Sequence, residues 1–190
     1  MSLPRCGVPD FNLNRSNELY LQIPTLASHY AFLPGNPKWP PTKRNLTYSF
    51  PPGTRTDVNG AIRHATQIWA FVSPFRFSYI PTYVQANIKI SFQYGDHGDD
   101  YPFDGPGGLL AHAFVPTIGI LHFDADERWV DGEKPGAYDL QTAGLHELGH
   151  ILGLAHSNDH NALMYPIIDI GVRKVLGQDD INGLKALYKF

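Results

Sequence analysis

The chain has 190 residues, a length that suits one domain with a sizeable core. Hydrophobic residues make up 43% and charged residues 17%, which is ordinary for a globular protein and excludes intrinsic disorder. The net charge of −3, with Lys and Arg scattered along the chain, excludes a basic binding surface, so we expect neither nucleic acid nor an anionic membrane as a partner.

The first half of the chain reads as an arm followed by strands around one helix. Residues 1–29 show no sustained period, and the prolines of 33–41 exclude a helix there. Apolar residues at helical spacing from Ala61 to Val72 predict an amphipathic helix. Alternating β-branched and aromatic residues predict three strands, at 46–50, 75–80 and 87–93.

The second half begins with a loop, residues 94–108, that is rich in Gly, Pro and Asp. Two short strands are predicted next, in LLAHAFV (109–115) and GILHFD (119–124). The segment 139–154 predicts a helix capped by Asp139, and a last helix begins near Gln178. Strands that surround few helices indicate the α+β class with a mixed sheet.

The helix at 139–154 carries HELGHILGLAH, a spacing that suits a catalytic zinc site. His146 and His150 are four residues apart and project from one helix face, and Glu147 lies beside them. Catalytic zinc takes three protein ligands and one water, so His156 can supply the third ligand if the chain reverses after the helix. Gly153 tolerates the left-handed conformation that this reversal needs.

The segment HELGHILGLAHSNDHNALMYP (146–166), which includes Met164, resembles the zinc helix and Met-turn of the matrixins, a family of the metzincin clan. YPFDGPGGLLAHAF (101–114) and LGQDDINGLKALY (176–188) resemble the family's calcium loop and last helix, and IKISFQYGDHGD (88–99) looks most like its plant-type members. The resemblance implies a twisted, mostly parallel five-stranded sheet with three helices and a cleft over the zinc helix. An astacin-like metzincin is a weaker alternative.

The one cysteine of the chain, Cys6, lies in PRCGVPD (4–10), which resembles the family's cysteine switch. A thiolate is a good zinc ligand, so Cys6 would fill the fourth position and exclude the nucleophilic water. The resemblance also implies that Arg5 and Asp10 pair to hold the loop. A buried cysteine without any role is the alternative.

The resemblance divides the chain into 1–29, the remnant of a propeptide, and 30–190, the catalytic domain. The mature enzyme would begin near Tyr30 or Phe32, and its new ammonium group could pair with Asp179.

Two further metal sites follow from the same resemblance. A structural zinc would be bound by His97, Asp99, His112 and His122. A calcium ion would be bound by Asp104, Asp124 and Glu127 with the carbonyls of Gly105, Gly107 and Leu109. We therefore expect two zinc ions and at least one calcium ion. Ile120 and Ala125 stand where many members have Asp, which puts additional calcium sites in doubt.

These features predict a secreted zinc endopeptidase, located in the apoplast or cell wall if it is plant-type, although the chain carries neither a signal-peptide pattern nor an apolar run long enough for a transmembrane segment. Glu147 would be the general base. We expect a monomer that binds an extended peptide along the edge strand LLAHAFV. The pocket would be walled by PIIDIGVRKVLG (166–177) and apolar, with Ile168 where the family usually has Tyr. The alternative is a catalytically silent, zymogen-like module that binds zinc and calcium.

Overall fold

A computed structural model describes residues 4–7 and 29–190. Its main sheet has six strands in the order β1-β5-β6-β4-β2-β3, and every neighbouring pair is parallel except β5 with β6. The strands are β1 (Arg5–Cys6), β2 (Asn45–Ser49), β3 (Arg76–Tyr79), β4 (Ile88–Gln93), β5 (Leu109–Ala113) and β6 (Ile120–Asp124). A second, two-stranded sheet pairs β7 (Trp129–Val130) with β8 (Tyr138–Asp139).

The helices are α1 (Thr56–Phe71), α2 (Leu140–Ile151) and α3 (Gln178–Tyr188), with a 3-10 turn at Tyr83–Gln85. The predicted α+β class, the mostly parallel mixed sheet and the three helices are confirmed. The five predicted strands are β2 to β6, and the sixth, β1, comes from the N-terminal arm. Within the described residues, no helix is both long and apolar enough to cross a bilayer.

Helix α2 lies at the centre of the molecule, and every one of its residues is buried. Its apolar residues therefore surround the helix and do not form a single stripe. Helix α1 packs against it closely because Gly144 has no side chain: a Cβ there would lie 2.5 Å from Ile62 Cδ1. The indole of Trp69 in α1 also donates a hydrogen bond to the carbonyl of Leu145 (2.8 Å). These contacts fix α2 against the rest of the core.

The two ends of α2 are set by specific residues. Asp139 caps the first turn, since its carboxylate accepts a hydrogen bond from the amide of Thr142 (3.0 Å). At the other end Gly153 has a φ of +101°, and its amide bonds to the carbonyl of His150 while the amide of Leu154 bonds to that of Gly149. This pair of bonds is a Schellman motif. It turns the chain back toward the helix, as the predicted role of Gly153 requires.

Candidate metal centre and cleft

The turn after α2 brings four potential ligands together. One side-chain atom from each of Cys6, His146, His150 and His156 lies within 4.8 Å of the others. The Nε2 atoms of His146 and His150 are 3.1 Å apart, and Cys6 Sγ is 3.3 Å from His150 Nε2. Tetrahedral zinc with bonds of about 2.0–2.3 Å places neighbouring donors about 3.3–3.6 Å apart, so the separations suit one ion.

The hydrogen bonds of the two helix histidines identify which ring nitrogens face this point. His146 Nδ1 lies 2.8 Å from the carbonyl oxygen of Leu163, and His150 Nδ1 lies 2.8 Å from that of Leu154. A carbonyl oxygen can only accept, so each Nδ1 carries the hydrogen and each Nε2 presents a lone pair. Two lone pairs that meet at 3.1 Å repel one another unless a cation lies between them.

Protonation of a histidine cannot easily supply that cation. Burial, and to a smaller extent the nearby His156, lowers the pKa of His146 to about 3. Burial likewise holds the pKa of His150 well below its ordinary value. The two helix histidines are therefore neutral imidazoles beside a thiol, and such donors suit zinc.

Glu147 lies next to the histidines in α2 and is fully buried. Burial raises the pKa of its carboxyl to about 8, although the nearby Cys6 thiol acts to lower it. The arm residue Cys6 thus contacts His150 and lies close enough to Glu147 to influence its pKa.

Met164 is 1% exposed and packs against the zinc helix α2 at Gly149. A Cβ on Gly149, which stands between His146 and His150 in α2, would lie 2.3 Å from Met164 Sδ. The turn that carries Met164 is held by a buried residue of α3 that our sequence analysis did not identify, Asp180. Its carboxylate accepts hydrogen bonds from the amides of Leu163 and Met164, both at 2.9 Å.

The second predicted zinc site also forms a cluster, composed of His97, Asp99, His112 and His122. Oδ2 of Asp99 lies 2.9 Å from His97 Nε2, 3.0 Å from His112 Nε2 and 3.1 Å from His122 Nδ1. His97 Nδ1 donates to the carbonyl of Gly95 (2.8 Å), so in the neutral ring the Nε2 that faces the carboxylate is a lone pair. The same repulsion argument therefore favours a cation here.

The residues predicted to bind calcium are arranged less clearly around one point than those of the two histidine clusters. Burial raises the pKa of Asp124 and Glu127, and nearby carboxylates, including Asp104, raise both further. Asp104 accepts a hydrogen bond from the Leu109 amide (2.8 Å), and Glu127 accepts one from the Gly107 amide. Oδ2 of Asp124 is buried and has no hydrogen-bond partner among the described residues. The amides of Gly107 and Leu109 are thus bonded to two of the three carboxylates, and the calcium site stays a prediction.

The described part of the arm, residues 4–7, lies in a groove between β5 and the segment that follows the Met-turn. Cys6 is 3% exposed there. On the β5 side the arm bonds to the carbonyls of Gly108 and Ala111, and on the other side to the backbone of Pro166 and Ile168. Strand β1 runs parallel to β5. The predicted partner of Arg5, Asp10, lies outside the described residues.

The far end of the segment after the Met-turn is fixed by an ion pair that the sequence did not reveal. Arg173 donates two hydrogen bonds to the buried carboxylate of Asp139, at 2.9 and 2.7 Å, and another to Asp131.

Asp179, the predicted partner of a mature N-terminus, accepts hydrogen bonds from the His29 amide (3.0 Å) and from the Ser157 hydroxyl (2.7 Å).

Comparison with known proteins shows similar chains in plants and mammals. Metalloendoproteinase 1 of Glycine max is 46% identical over 97% of this chain and 63% of its own length. Metalloendoproteinase 5-MMP of Arabidopsis thaliana is 42% identical over 97% of this chain and 55% of its own. Interstitial collagenase of Sus scrofa is 45% identical over 99% of this chain and 37% of its own.

The chain therefore spans less than two thirds of the length of these relatives. The plant and mammalian identities are nearly equal, so the plant-type assignment stays a prediction. A family model described as matrixin matches residues 38–189, which include α2, the Met-turn and the second histidine cluster. The chain belongs to the matrixin family.

Proposed function

We propose that this protein is a zinc-dependent endopeptidase that Cys6 keeps latent. The observation that carries the proposal is the meeting of two histidine lone pairs at 3.1 Å, with Cys6 Sγ 3.3 Å from one of them. This arrangement is stable when the histidines and the thiolate share a cation. The relatives named as metalloendoproteinases and collagenase support peptide hydrolysis as the reaction.

His146, His150 and His156 would hold the catalytic zinc. When bound, zinc supplies a Lewis acid that polarises a carbonyl oxygen and lowers the pKa of water. The protein contributes the orientation of the rings, because the carbonyls of Leu163 and Leu154 prevent His146 and His150 from rotating. Met164 packs against Gly149 between them in α2 and would support this geometry.

Glu147 would be the general base. It lies on α2 between the two histidines, so it would face a water molecule at the place that Cys6 Sγ now occupies. Its carboxylate would take the proton of that water as the water attacks the peptide carbonyl, and would deliver the proton to the leaving nitrogen. In the described state the buried Cys6 lies beside Glu147, and as a zinc ligand its sulfur would take the place of the water.

The substrate would bind extended in the groove that the arm now fills. Strand β5 is the edge of the sheet once β1 is removed, and its backbone carbonyls already accept hydrogen bonds from the arm. A peptide could use the same backbone groups, with side-chain pockets giving the preference. The neighbouring residue Ile168 is 2% exposed, which supports an apolar pocket.

The second cluster, His97, Asp99, His112 and His122, would hold a structural zinc, because four protein ligands leave no position for water. Asp104, Asp124 and Glu127 would bind calcium, together with carbonyls of the same loop. These ions would stabilise the fold around the cleft without taking part in the reaction.

We further propose that residues 1–29 form the latency arm and 30–190 the catalytic domain, and that the enzyme is secreted and monomeric. The described part of the arm contributes one two-residue strand to the sheet, and among the described residues every buried hydrophobic side chain other than Cys6 lies after residue 30. Removal of the arm would therefore open the cleft and leave the core intact.

A second candidate is a catalytically silent, zymogen-like module. The hydrogen bonds that hold the arm on both sides of the cleft favour it, since an arm that never leaves would prevent turnover. The intact carboxylate of Glu147 favours the protease.

The two candidates differ in one experiment. Cleavage of a quenched peptide is measured for the full chain and for the chain cut within the arm, each with zinc, with a chelator, and after zinc is restored. A protease is active only when cut and loaded with zinc. A silent module stays inactive in every state.

A further inference from the structure

The groove that the arm fills has two sides. The side opposite β5 is buried at its beginning and exposed further along the chain. We call residues 165–172, which follow the Met-turn, the outer rail. Its beginning is fixed, because Pro166 and Ile168 form hydrogen bonds with the arm and Ile168 is 2% exposed. Further along, Ile170 and Val172 are 51% and 42% exposed, so apolar burial does not fix that part.

Arg173 stands directly after the outer rail and connects it to α2. Its Nε and Nη2 reach the two carboxylate oxygens of Asp139, at 2.9 and 2.7 Å, a two-pronged geometry that only a guanidinium can form. Asp139 is fully buried and caps α2 through Thr142. The same arginine bonds to Asp131, and its amide bonds to Glu133 (3.2 Å).

The next residue, Lys174, strengthens the connection. Its amide donates to the hydroxyl of Thr142 in the first turn of α2 (2.9 Å), and its ammonium donates to the carbonyls of His160 and Ala162 before the Met-turn (2.9 and 2.8 Å). The amide of Gly171 bonds to the carbonyl of Ala137 (2.9 Å). The end of the rail is thus aligned with the start of the helix that carries His146 and His150.

We propose that Arg173 is a positioning residue that sets the distance between the outer rail and α2, and with it the selectivity for the substrate side chain that enters between them. The inference rests on the proposed protease. Arg173 does not touch the reacting atoms, so its loss should act on substrate choice and affinity more than on the chemical step. A pocket that fits one size of apolar side chain discriminates by roughly 10–200-fold, and a loose wall reduces that ratio.

The test uses the full chain with Cys6→Ser in every sample, so that the cleft can open. Two quenched peptides that differ only in one apolar side chain, large or small, are compared for the parent and for Arg173→Met and Arg173→Lys. The matched control is Arg55→Met, because Arg55 pairs with Asp57 by the same two-pronged geometry and bonds to the Trp129 carbonyl, away from the outer rail. Hydrogen exchange of residues 165–172 is measured in parallel and does not depend on activity.

We expect Arg173→Met to lower the ratio of kcat/KM between the peptides about fivefold or more through KM, with kcat changed less than about twofold. Exchange in the outer rail should rise at least about tenfold. Arg173→Lys should restore part of the ratio, and Arg55→Met should match the parent. If the ratio of kcat/KM between the peptides is unchanged, or if kcat/KM falls equally for both in proportion to the folded fraction, this inference alone is overturned. If the parent cleaves neither peptide, the same variants are compared in the chain cut within the arm. A cut chain that also cleaves neither peptide would overturn the proposed protease, and the selectivity claim with it.

Discussion

The replacement Cys6→Ser in the full chain should convert a latent protein into an active one. In addition to the ladder between β1 and β5, four backbone hydrogen bonds join residues 4–7 to the two sides of the cleft. At about 1 kcal/mol each they contribute about 4 kcal/mol. Fixing the backbone of four residues costs about 4–8 kcal/mol, so these bonds alone do not hold the arm in place.

The sulfur contact therefore decides whether the arm stays. A four-ligand structural zinc site contributes about 10–16 kcal/mol, or about 3 kcal/mol per ligand. Loss of about 3 kcal/mol increases the fraction of molecules whose arm has left the cleft about 100-fold. Cys6 is buried and lies 3.3 Å from His150 Nε2, so its sulfur is placed to make this contact.

The assay is the initial rate of cleavage of a quenched peptide by the full chain at equal zinc content. The chain cut within the arm sets the maximal rate. We expect Cys6→Ser to raise the rate about 100-fold or up to that maximum. Pro4→Ala is the control, because it keeps the carbonyl that accepts from Ile168, and it should change the rate only a few-fold. A Cys6→Ser chain that is as inactive as the wild type, while the cut chain is active, would refute the reasoning.

Three further predictions concern the base, the second cluster and the helix cap. Glu147→Gln should lower the rate of the cut chain about 1,000-fold with the metal content unchanged, as for loss of a general base; near-normal turnover would disprove that role. His112→Ala should lose one zinc per chain and lower the free energy of unfolding by about 3 kcal/mol in urea titrations, whereas the exposed His64→Ala should change neither; an unchanged zinc count would argue against the second site. Burial raises the pKa of Asp139, but the Arg173 guanidinium and other donors hold it below its ordinary value of 3.8. The stability from this pair is therefore complete at neutral pH and is lost as the pH falls below about 4. The difference in unfolding free energy between wild type and Asp139→Asn should thus be constant from about pH 5 to 7 and should shrink on further acidification. A difference that grows on acidification would contradict this direction.

The parts that the sequence predicted are those that local periodicity encodes. The spacing of His146 and His150 places both on one helix face, and glycine at position 153 permits the positive φ of a turn. The reversal of the chain toward His156 could therefore be predicted. The observed α2 spans Leu140–Ile151, shorter than the predicted 139–154, because the Schellman turn occupies its last residues. The cap at Asp139 was predicted from residue type and is confirmed by its bond to Thr142.

The parts that the sequence did not predict depend on contacts between distant segments. Arg173 and Asp139 are 34 residues apart, and Asp180 reaches Met164 across 16 residues. Neither pair leaves a period or a motif, because the partners meet only after α2 and the Met-turn have packed together. The groove around the arm is a further example. Its two sides are β5 and a segment that lies more than fifty residues later in the chain.

The central claim is that three imidazoles and one thiolate share a single zinc ion. Crystals of the full chain grown with zinc, with anomalous diffraction recorded above and below the zinc absorption edge, test it most directly. We predict a zinc peak about 2.0–2.1 Å from a ring nitrogen of each of His146, His150 and His156, and about 2.3 Å from the sulfur of Cys6. A map without zinc at this point, or with the three rings directed to different places, would contradict the claim.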